Sequence, residues 1–139
     1  MSARLTTLAL ELAPLLAAVQ SDGNGGTAVF LGTVRRSAED GEVAGIEYSA
    51  YEAMAEEELG RIVGEAREHW PNARVEVRHR LGYVPTGEAS VAVAVSAPHR
   101  GDAFAACRWV IDEVKRRAPI WKKEHLAGGA ARWVEHALA

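Results

Sequence analysis

The chain has 139 residues, which suits one domain with a core of its own, and we expect residues 1–139 to form that single domain. Its charged fraction of 25% and hydrophobic fraction of 48% are those of an ordinary globular protein. No apolar stretch approaches the length of a membrane span, and the N-terminal residues lack the cleavage pattern of a signal peptide. We therefore expect a cytoplasmic protein, and the net charge of −3 argues against nucleic acid as its partner.

The first half of the chain predicts strands followed by a helix. Residues 4–10 fit either a short strand or the start of a helix, and Pro14 suits a first helical turn. Residues 27–36 and 43–52 predict two strands joined as a hairpin, and Gly32 indicates a bulge or a close approach of another chain segment. From about residue 53 to 70 the apolar spacing becomes helical, and Pro71 ends that helix.

The second half repeats this order. Residues 74–81 and 89–96 alternate as strands do, and the alanines on one face of the second strand allow another element to pack closely there. A helix is predicted from about Asp102, which can cap it, to Arg117, and the Ala118-Pro119 pair ends it. Its predicted buried stripe consists of Ala103, Phe104, Cys107, Val110, Ile111 and Val114.

A last short strand is predicted at residues 132–136. The order β-β-α-β-β-α predicts an α+β fold, in which antiparallel strands carry helices packed on one face. Cys107 is the only cysteine, so an internal disulfide is impossible, and we interpret it as a small buried hydrophobe, with a nucleophile as the alternative. The five histidines show no ligand spacing, and we predict no metal and no cofactor.

Positive charge is concentrated in residues 96–123, which hold seven basic and three acidic residues. A cationic block in an acidic protein predicts an anionic ligand or the acidic tail of a partner. Within it, His99 and Arg100 lie between a strand and the start of a helix, where free N–H groups and a guanidinium can bind phosphate or carboxylate. The alternative interpretation is a solvated loop with an incidental arginine.

Lys115 and Lys122 flank Pro119, and the apolar residues Ile120 and Trp121 lie between them. A lysine beside apolar groups can have a lowered pKa and act as an acid, a base or a nucleophile. The alternative is that Lys115 and the two arginines after it only complement the dipole of the helix. Two other charged residues remain ambiguous: Arg35 ends a strand, as many surface arginines do, and Glu88 fits either a turn or a partner for a cation.

Several motifs occur in order between about residues 25 and 136, and together they resemble the large, catalytic subunit of molybdopterin synthase. The matching stretches are FLGTVR at 30–35, Tyr48, Tyr51, Glu52 and Met54 in the next strand region, HRLG at 79–82, VPTGE at 84–88, SAPHR at 96–100, AFAAC at 103–107, KRRAPIWKKE at 115–124 and RWVE at 132–135. The combination of the KRRAPIWK stretch with HR some fifteen residues upstream is specific.

The resemblance implies an α/β hammerhead-type fold and a homodimer in which each copy binds a small ubiquitin-like subunit, giving a heterotetramer. It implies that the small subunit ends in a Gly-Gly thiocarboxylate whose tail inserts into a pocket of this chain. Two sulfurs then pass to cyclic pyranopterin monophosphate, which makes the dithiolene of molybdopterin in molybdenum cofactor biosynthesis.

The resemblance also implies roles for individual residues. Lys115 and Lys122 are the expected catalytic residues, and Arg35, His99 and Arg100 are expected to hold the pterin or its phosphate, the last two in the site of the same copy or of its neighbour. Phe30 and Ile111 are expected to line the path of the tail. Near the end of the chain, His136 is the last candidate for the pocket. Two rival functions remain: a phosphoester-processing enzyme without a protein partner, and a non-catalytic adaptor that binds Gly-Gly tails.

Overall fold

The computed structural model describes residues 4–36 and 42–134. The elements in chain order are β1 (Leu5–Thr6), α1 (Leu12–Val19), β2 (Gly26–Thr33), β3 (Val43–Ala50), α2 (Glu52–His69), β4 (Arg74–Arg80), β5 (Gly82–Pro85), β6 (Ala89–Ala97), α3 (Arg100–Arg117), β7 (Ile120–Leu126) and β8 (Ala131–Trp133).

The strands form two four-stranded sheets. The first has the order β1-β4-β6-β2, and the second has the order β5-β3-β7-β8. Every strand pair is antiparallel except β1 with β4. The predicted α+β class with antiparallel sheets is therefore confirmed.

The predicted hairpin between residues 27–36 and 43–52 is wrong, although both segments are strands. β2 pairs with β6 in the first sheet, and β3 pairs with β5 and β7 in the second. The two neighbours in sequence thus separate into different sheets. Alternation shows which face of a strand is buried, but it does not choose the partner strand.

Strand β6 lies inside the first sheet and is buried on both faces. Val91, Val93 and Val95 join the main core with α2 and α3, which pack on one face of the sheet as predicted. Ala92 and Ala94 contact the short helix α1 on the other face. The small alanine side chains allow this close approach, as the sequence predicts.

Helix α3 begins two residues earlier than predicted. His99 is its N-cap residue, and Asp102 lies in the first turn rather than at the cap. Phe104, predicted in the buried stripe, is 65% exposed, and Ala106 is buried instead. Cys107 is buried as predicted, and this burial raises the pKa of its thiol.

Two strands were not predicted. Residues 82–85, which lie between the predicted strands 74–81 and 89–96, form β5 at the edge of the second sheet. Residues 120–126 form β7, in which charged side chains hide the alternation that usually marks a strand. The last strand covers Ala131–Trp133, whereas residues 135 and 136 of the predicted strand lie outside the described residues.

Candidate active site

A cavity of about 360 Å³ lies where residues of both sheets meet the C-terminal end of α3. It contains three of the basic residues singled out in the sequence, Arg35, Lys115 and Lys122. Its lining consists of Gly32, Thr33, Val34, Arg35, Ile46, Tyr48, His79, Ser90, Val91, Lys115, Lys122, Glu124 and Val134.

The bend at Ala118-Pro119 brings the two lysines to the same cavity. Lys115 lies in the last turn of α3, and Lys122 is the third residue of β7. In the pairing of β3 with β7, Lys122 lies opposite Tyr48, so both side chains are on the same face of the second sheet. The end of α3 and the start of β7 therefore place two amines at one site, although the segment 115–122 has only eight residues.

The environment of Lys122 makes its charged form less favourable than that of an exposed lysine. Burial lowers the pKa of Lys122, and the positive charge of Lys115 lowers it further, while Glu124 opposes the shift. A depressed pKa is the property expected of an amine that exchanges protons during a reaction. Glu124 itself lines the cavity, and its carboxylate accepts a hydrogen bond from Arg132 at 2.8 Å.

A bulge in β2 places Arg35 at the cavity. The pairing of β2 with β6 shifts register between Gly32 and Thr33. A Cβ atom at Gly32 would approach a methyl carbon of Val91 to 2.6 Å, so the close approach predicted for this glycine is present. After the bulge, the N–H of Val34 donates to the carbonyl of Glu88 at 3.0 Å, which holds the segment that carries Arg35.

His79 also lines this cavity, and the sequence analysis did not assign it to the site. It falls within the predicted strand 74–81 and is 1% exposed. Burial lowers the pKa of His79 to about 4, its hydrogen bond to the carbonyl of Arg80 opposes this, and the charges of Lys115 and Lys122 add to the lowering. A buried polar residue on an otherwise apolar strand face was the available signal.

His99 and Arg100 do not line the lysine cavity. They border a shallow depression with Gly25, next to the first residue of β2, whereas Arg35 lies two residues beyond the last residue of that strand. Seven strand residues at roughly 3.3 Å each separate the two ends by about 23 Å. Within one chain, the predicted substrate-binding residues therefore form two groups, Arg35 in the lysine cavity and His99 with Arg100 at the other end of β2.

Phe30 and Ile111 do come together. They line a separate groove between β2 and α3, beside the exposed ring of Phe104 and the buried Cys107. The groove is more apolar than the lysine cavity, because Ala28 and Val29 complete an apolar lining in which only Arg108 and Asp112 are charged.

The remaining arginines of the cationic block are bound to carboxylates. Arg117 contacts Glu58 at 2.8 Å, Glu65 at 2.8 Å and Glu113 at 3.1 Å, and so joins α3 to α2. Arg116 pairs with Glu113 on the helix surface. The pKa of Arg117 is raised, chiefly by its hydrogen bond to Glu65. These arginines stabilise the fold and do not line the lysine cavity.

Glu88 is a partner of a cation, one of the two alternatives that the sequence allowed. Its carboxylate accepts a hydrogen bond from Arg80 at 2.8 Å. In the described parts of the chain, no three His, Cys, Asp or Glu side chains are placed to hold a metal ion, and no helix is long and apolar enough to cross a membrane.

An α+β protein with a pair of lysines and an arginine around one cavity has a site suited to binding anionic groups. The comparison with known families is specific. Residues 5–117 match the model of the family described as MoaE protein. The chain belongs to this family, the catalytic subunits of molybdopterin synthase, which confirms the predicted resemblance.

Individual relatives agree with the family match. A molybdopterin synthase catalytic subunit of Nostoc sp. is 42% identical over 94% of this chain and 79% of its own length. Its counterpart in Oryza sativa subsp. indica is 49% identical over 91% of this chain and 65% of its own length.

Solved structures extend this agreement to the fold. The crystal structure of molybdopterin synthase from Staphylococcus aureus has a TM-score of 0.91 and 32% identity, covering 96% of each chain. A complex of subunits 1 and 2 of molybdopterin-converting factor from Helicobacter pylori has a TM-score of 0.77 and 25% identity, covering 95% of this chain and 89% of that chain.

Proposed function

We propose that this chain transfers sulfur from the thiocarboxylated C-terminus of a small ubiquitin-like subunit to cyclic pyranopterin monophosphate, forming the dithiolene of molybdopterin. The observation that carries the proposal is the cavity in which Lys115, Lys122 and Arg35 lie together. Both reactants are anions, since one ends in a thiocarboxylate and the other carries a phosphate. A cavity with three basic side chains attracts both and offsets their mutual repulsion.

The chemistry assigns different tasks to the two lysines. In each transfer the thiocarboxylate sulfur bonds to an oxygen-bearing carbon of the pterin substrate, and the C–O bond of that carbon breaks, with the oxygen leaving as water or on the phosphate that is released from its ring. Water then cleaves the bond between the sulfur and the acyl carbon, which leaves the sulfur on the pterin and an ordinary carboxylate on the tail. Lys115 polarises the acyl carbon or moves a proton there. Lys122, whose pKa is lowered by burial and by Lys115, stabilises charge on the substrate or assists the opening of the cyclic phosphate.

His99 and Arg100 complete the site only if a second copy of the chain supplies them. They lie about 23 Å from the Arg35 end of β2 within one chain, and a homodimer can bring the end of one copy to the cavity of the other. Phe30 and Ile111, which line the apolar groove between β2 and α3, are proposed to guide the tail of the small subunit. The working assembly is then a homodimer that carries two small subunits.

Reconstitution tests this function against its rivals. The chain is mixed with a thiocarboxylated small subunit and cyclic pyranopterin monophosphate, and dithiolene product is measured. Product that requires both components is the expected result. Turnover of the phosphorylated pterin without the small subunit would indicate a phosphoester-processing enzyme, and tight tail binding without product would indicate an adaptor.

We further propose that residues 1–139 act as one domain in the cytoplasm.

A further inference from the structure

The connection between α1 and β2, residues 20–25, lies against the chain segment that carries His99 and Arg100. The backbone N–H of Asn24 donates to the carbonyl oxygen of Ser21 at 3.1 Å, which closes a β-turn inside the connection. The proposed function gives this connection no task. Its contacts nevertheless end on the residues that immediately precede the expected phosphate-binding pair.

The side chain of Asn24 is hydrogen-bonded to a buried serine. Its Nδ2 atom donates to Oγ of Ser96 at 2.9 Å, and Ser96, near the end of β6, is 1% exposed. The hydroxyl of Ser96 donates in turn to the carbonyl oxygen of Val19, the last residue of α1. Because a hydroxyl has one hydrogen, Oγ of Ser96 accepts from position 24, and a side chain with an N–H donor is needed there.

Two glycines bring the backbones of the same segments together. The N–H of Gly25 donates to the carbonyl oxygen of Pro98 at 3.3 Å, and a Cβ atom at Gly25 would lie 3.2 Å from that oxygen. At Gly26, a Cβ atom would lie 3.1 Å from both the N and the Cα atoms of Arg100. The connection and the first residue of β2 therefore pack tightly on the backbone that leads into α3.

We propose that Asn24 is a positioning residue, which acts through Ser96 to hold His99 and Arg100 in place for the phosphate of the substrate. The inference rests on the proposed function for its catalytic consequence. Asn24 lines a different groove, between α1 and the start of β2, whereas His99 and Arg100 border their own depression, so its effect passes through the hydrogen bond to Ser96. A segment that is already held loses less conformational freedom when an anion binds to it.

Two substitutions remove the donor at position 24 in different ways. Asn24→Asp keeps the shape of the side chain but offers only acceptors, and Asn24→Ala removes the polar group without adding charge. Both should raise KM for the phosphorylated pterin by about 3–10-fold and change kcat less than about twofold, because a phosphate contact acts equally in the ground and transition states. The matched control is the exposed Asp22 in the same turn, where Asp22→Asn and Asp22→Ala should leave KM within about twofold. A higher KM in Asn24→Asp alone, or a loss of kcat at unchanged KM, would overturn the proposal.

A double-mutant cycle tests whether Asn24 acts through Ser96. Ser96→Ala should raise KM by at least as much as Asn24→Ala, since it removes the acceptor of the same hydrogen bond. The double variant should then have the KM of Ser96→Ala, because the bond can be lost only once. If the two factors multiply instead, Asn24 acts by another route and the proposal is wrong.

A measurement without turnover keeps this inference distinct from the proposed function. In the free full-length chain, amide hydrogen exchange of residues 97–101 should be about threefold or more faster in Asn24→Asp than in the original chain, and unchanged in Asp22→Asn. Exchange in β4 serves as the internal reference and should be the same in all three proteins. Unchanged exchange at 97–101 in Asn24→Asp would overturn the positioning role, whatever the activity. Faster exchange in a chain that forms no dithiolene would support the positioning and contradict only the proposed function.

Discussion

The two sides of the C-terminal end of α3 use positive charge in opposite ways. On one side, Arg117 lies between Glu58, Glu65 and Glu113, so its charge is matched by carboxylates. On the other side, Lys115 shares a cavity with Lys122, whose pKa is lowered by burial and by that neighbour. Residues two positions apart in sequence thus contribute to the packing of two helices in one case and to the proposed reactive site in the other. Charge by itself does not mark a site; a basic residue that shares a cavity with a second basic residue is the stronger candidate.

The largest effect on activity is expected from removing the amine of Lys115. Lys115→Ala should lower the rate of dithiolene formation by about 10²–10³-fold or more, because it removes the group that stabilises charge at the acyl carbon. The melting temperature and the binding of the small subunit should stay close to those of the original chain. A variant that fails to fold would instead place Lys115 on the structural side with Arg117.

Removing the guanidinium of Arg117 should lower the stability of the fold and leave kcat unchanged. Arg117→Met should lower the free energy of unfolding by about 2–3 kcal/mol, because it leaves half-buried carboxylates without their cation. Arg116→Met is the matched control, and since that side chain is 67% exposed its effect should stay within about 0.5 kcal/mol. Urea unfolding of both variants gives the numbers, and kcat per folded molecule should be unchanged. Equal destabilisation by the two substitutions would contradict the assignment.

The free energy of unfolding should fall at low pH because of His79, which lines the cavity with the two lysines. Its pKa in the folded chain is about 4, below the ordinary value of 6.5, so the unfolded chain binds more protons between these pH values. The stability that His79 contributes is therefore complete above pH 6.5 and is lost as pH falls towards 4, by about 2–3 kcal/mol.

Urea unfolding at about pH 7.5 and about pH 4.5 tests this dependence. His79→Gln has no titrating ring, so its stability should fall less between the two pH values than that of the original chain. The carboxylates that contact Arg117 are present in both proteins and cancel in the difference. Parallel losses in the two proteins would show that His79 is not held neutral.

The smallest effect is expected for Arg100, which with His99 lies away from the lysine cavity within one chain. Arg100→Ala should raise KM for the phosphorylated pterin by about tenfold and change kcat little, because a phosphate contact is made equally in the ground and transition states. Steady-state kinetics with the saturated small subunit measure both constants. A pure loss of kcat would argue against a binding role for Arg100.

The sequence predicts most of the elements and part of the cavity. Lys115, Lys122 and Arg35 were predicted together from a resemblance, and the structure places all three around one cavity. The burial of Cys107 and the close packing against Ala92 and Ala94 follow from local patterns, since they depend only on which face of an element is apolar.

What the sequence does not predict depends on contacts between distant segments. The hairpin was wrong because the choice of partner strand lies in the tertiary packing of β2 with β6. Strand β7 was missed because Lys122, Lys123 and Glu124 occupy a sheet that lines a polar cavity on one side. His79 was not assigned to the site because nothing in its own strand shows that lysines from α3 and β7 line the same cavity.

The register between β3 and β7 has a consequence for how this segment tolerates insertions. Tyr48 lies opposite Lys122, and only Ala118 and Pro119 separate the end of α3 from β7. One residue added to or removed from that connection would turn Trp121 or Lys123 inward and send the amine of position 122 to the outer face. Such a change preserves composition and hydropathy, yet it would dismantle the site. We therefore expect the length of this two-residue connection to matter for activity as well as the identity of Lys122.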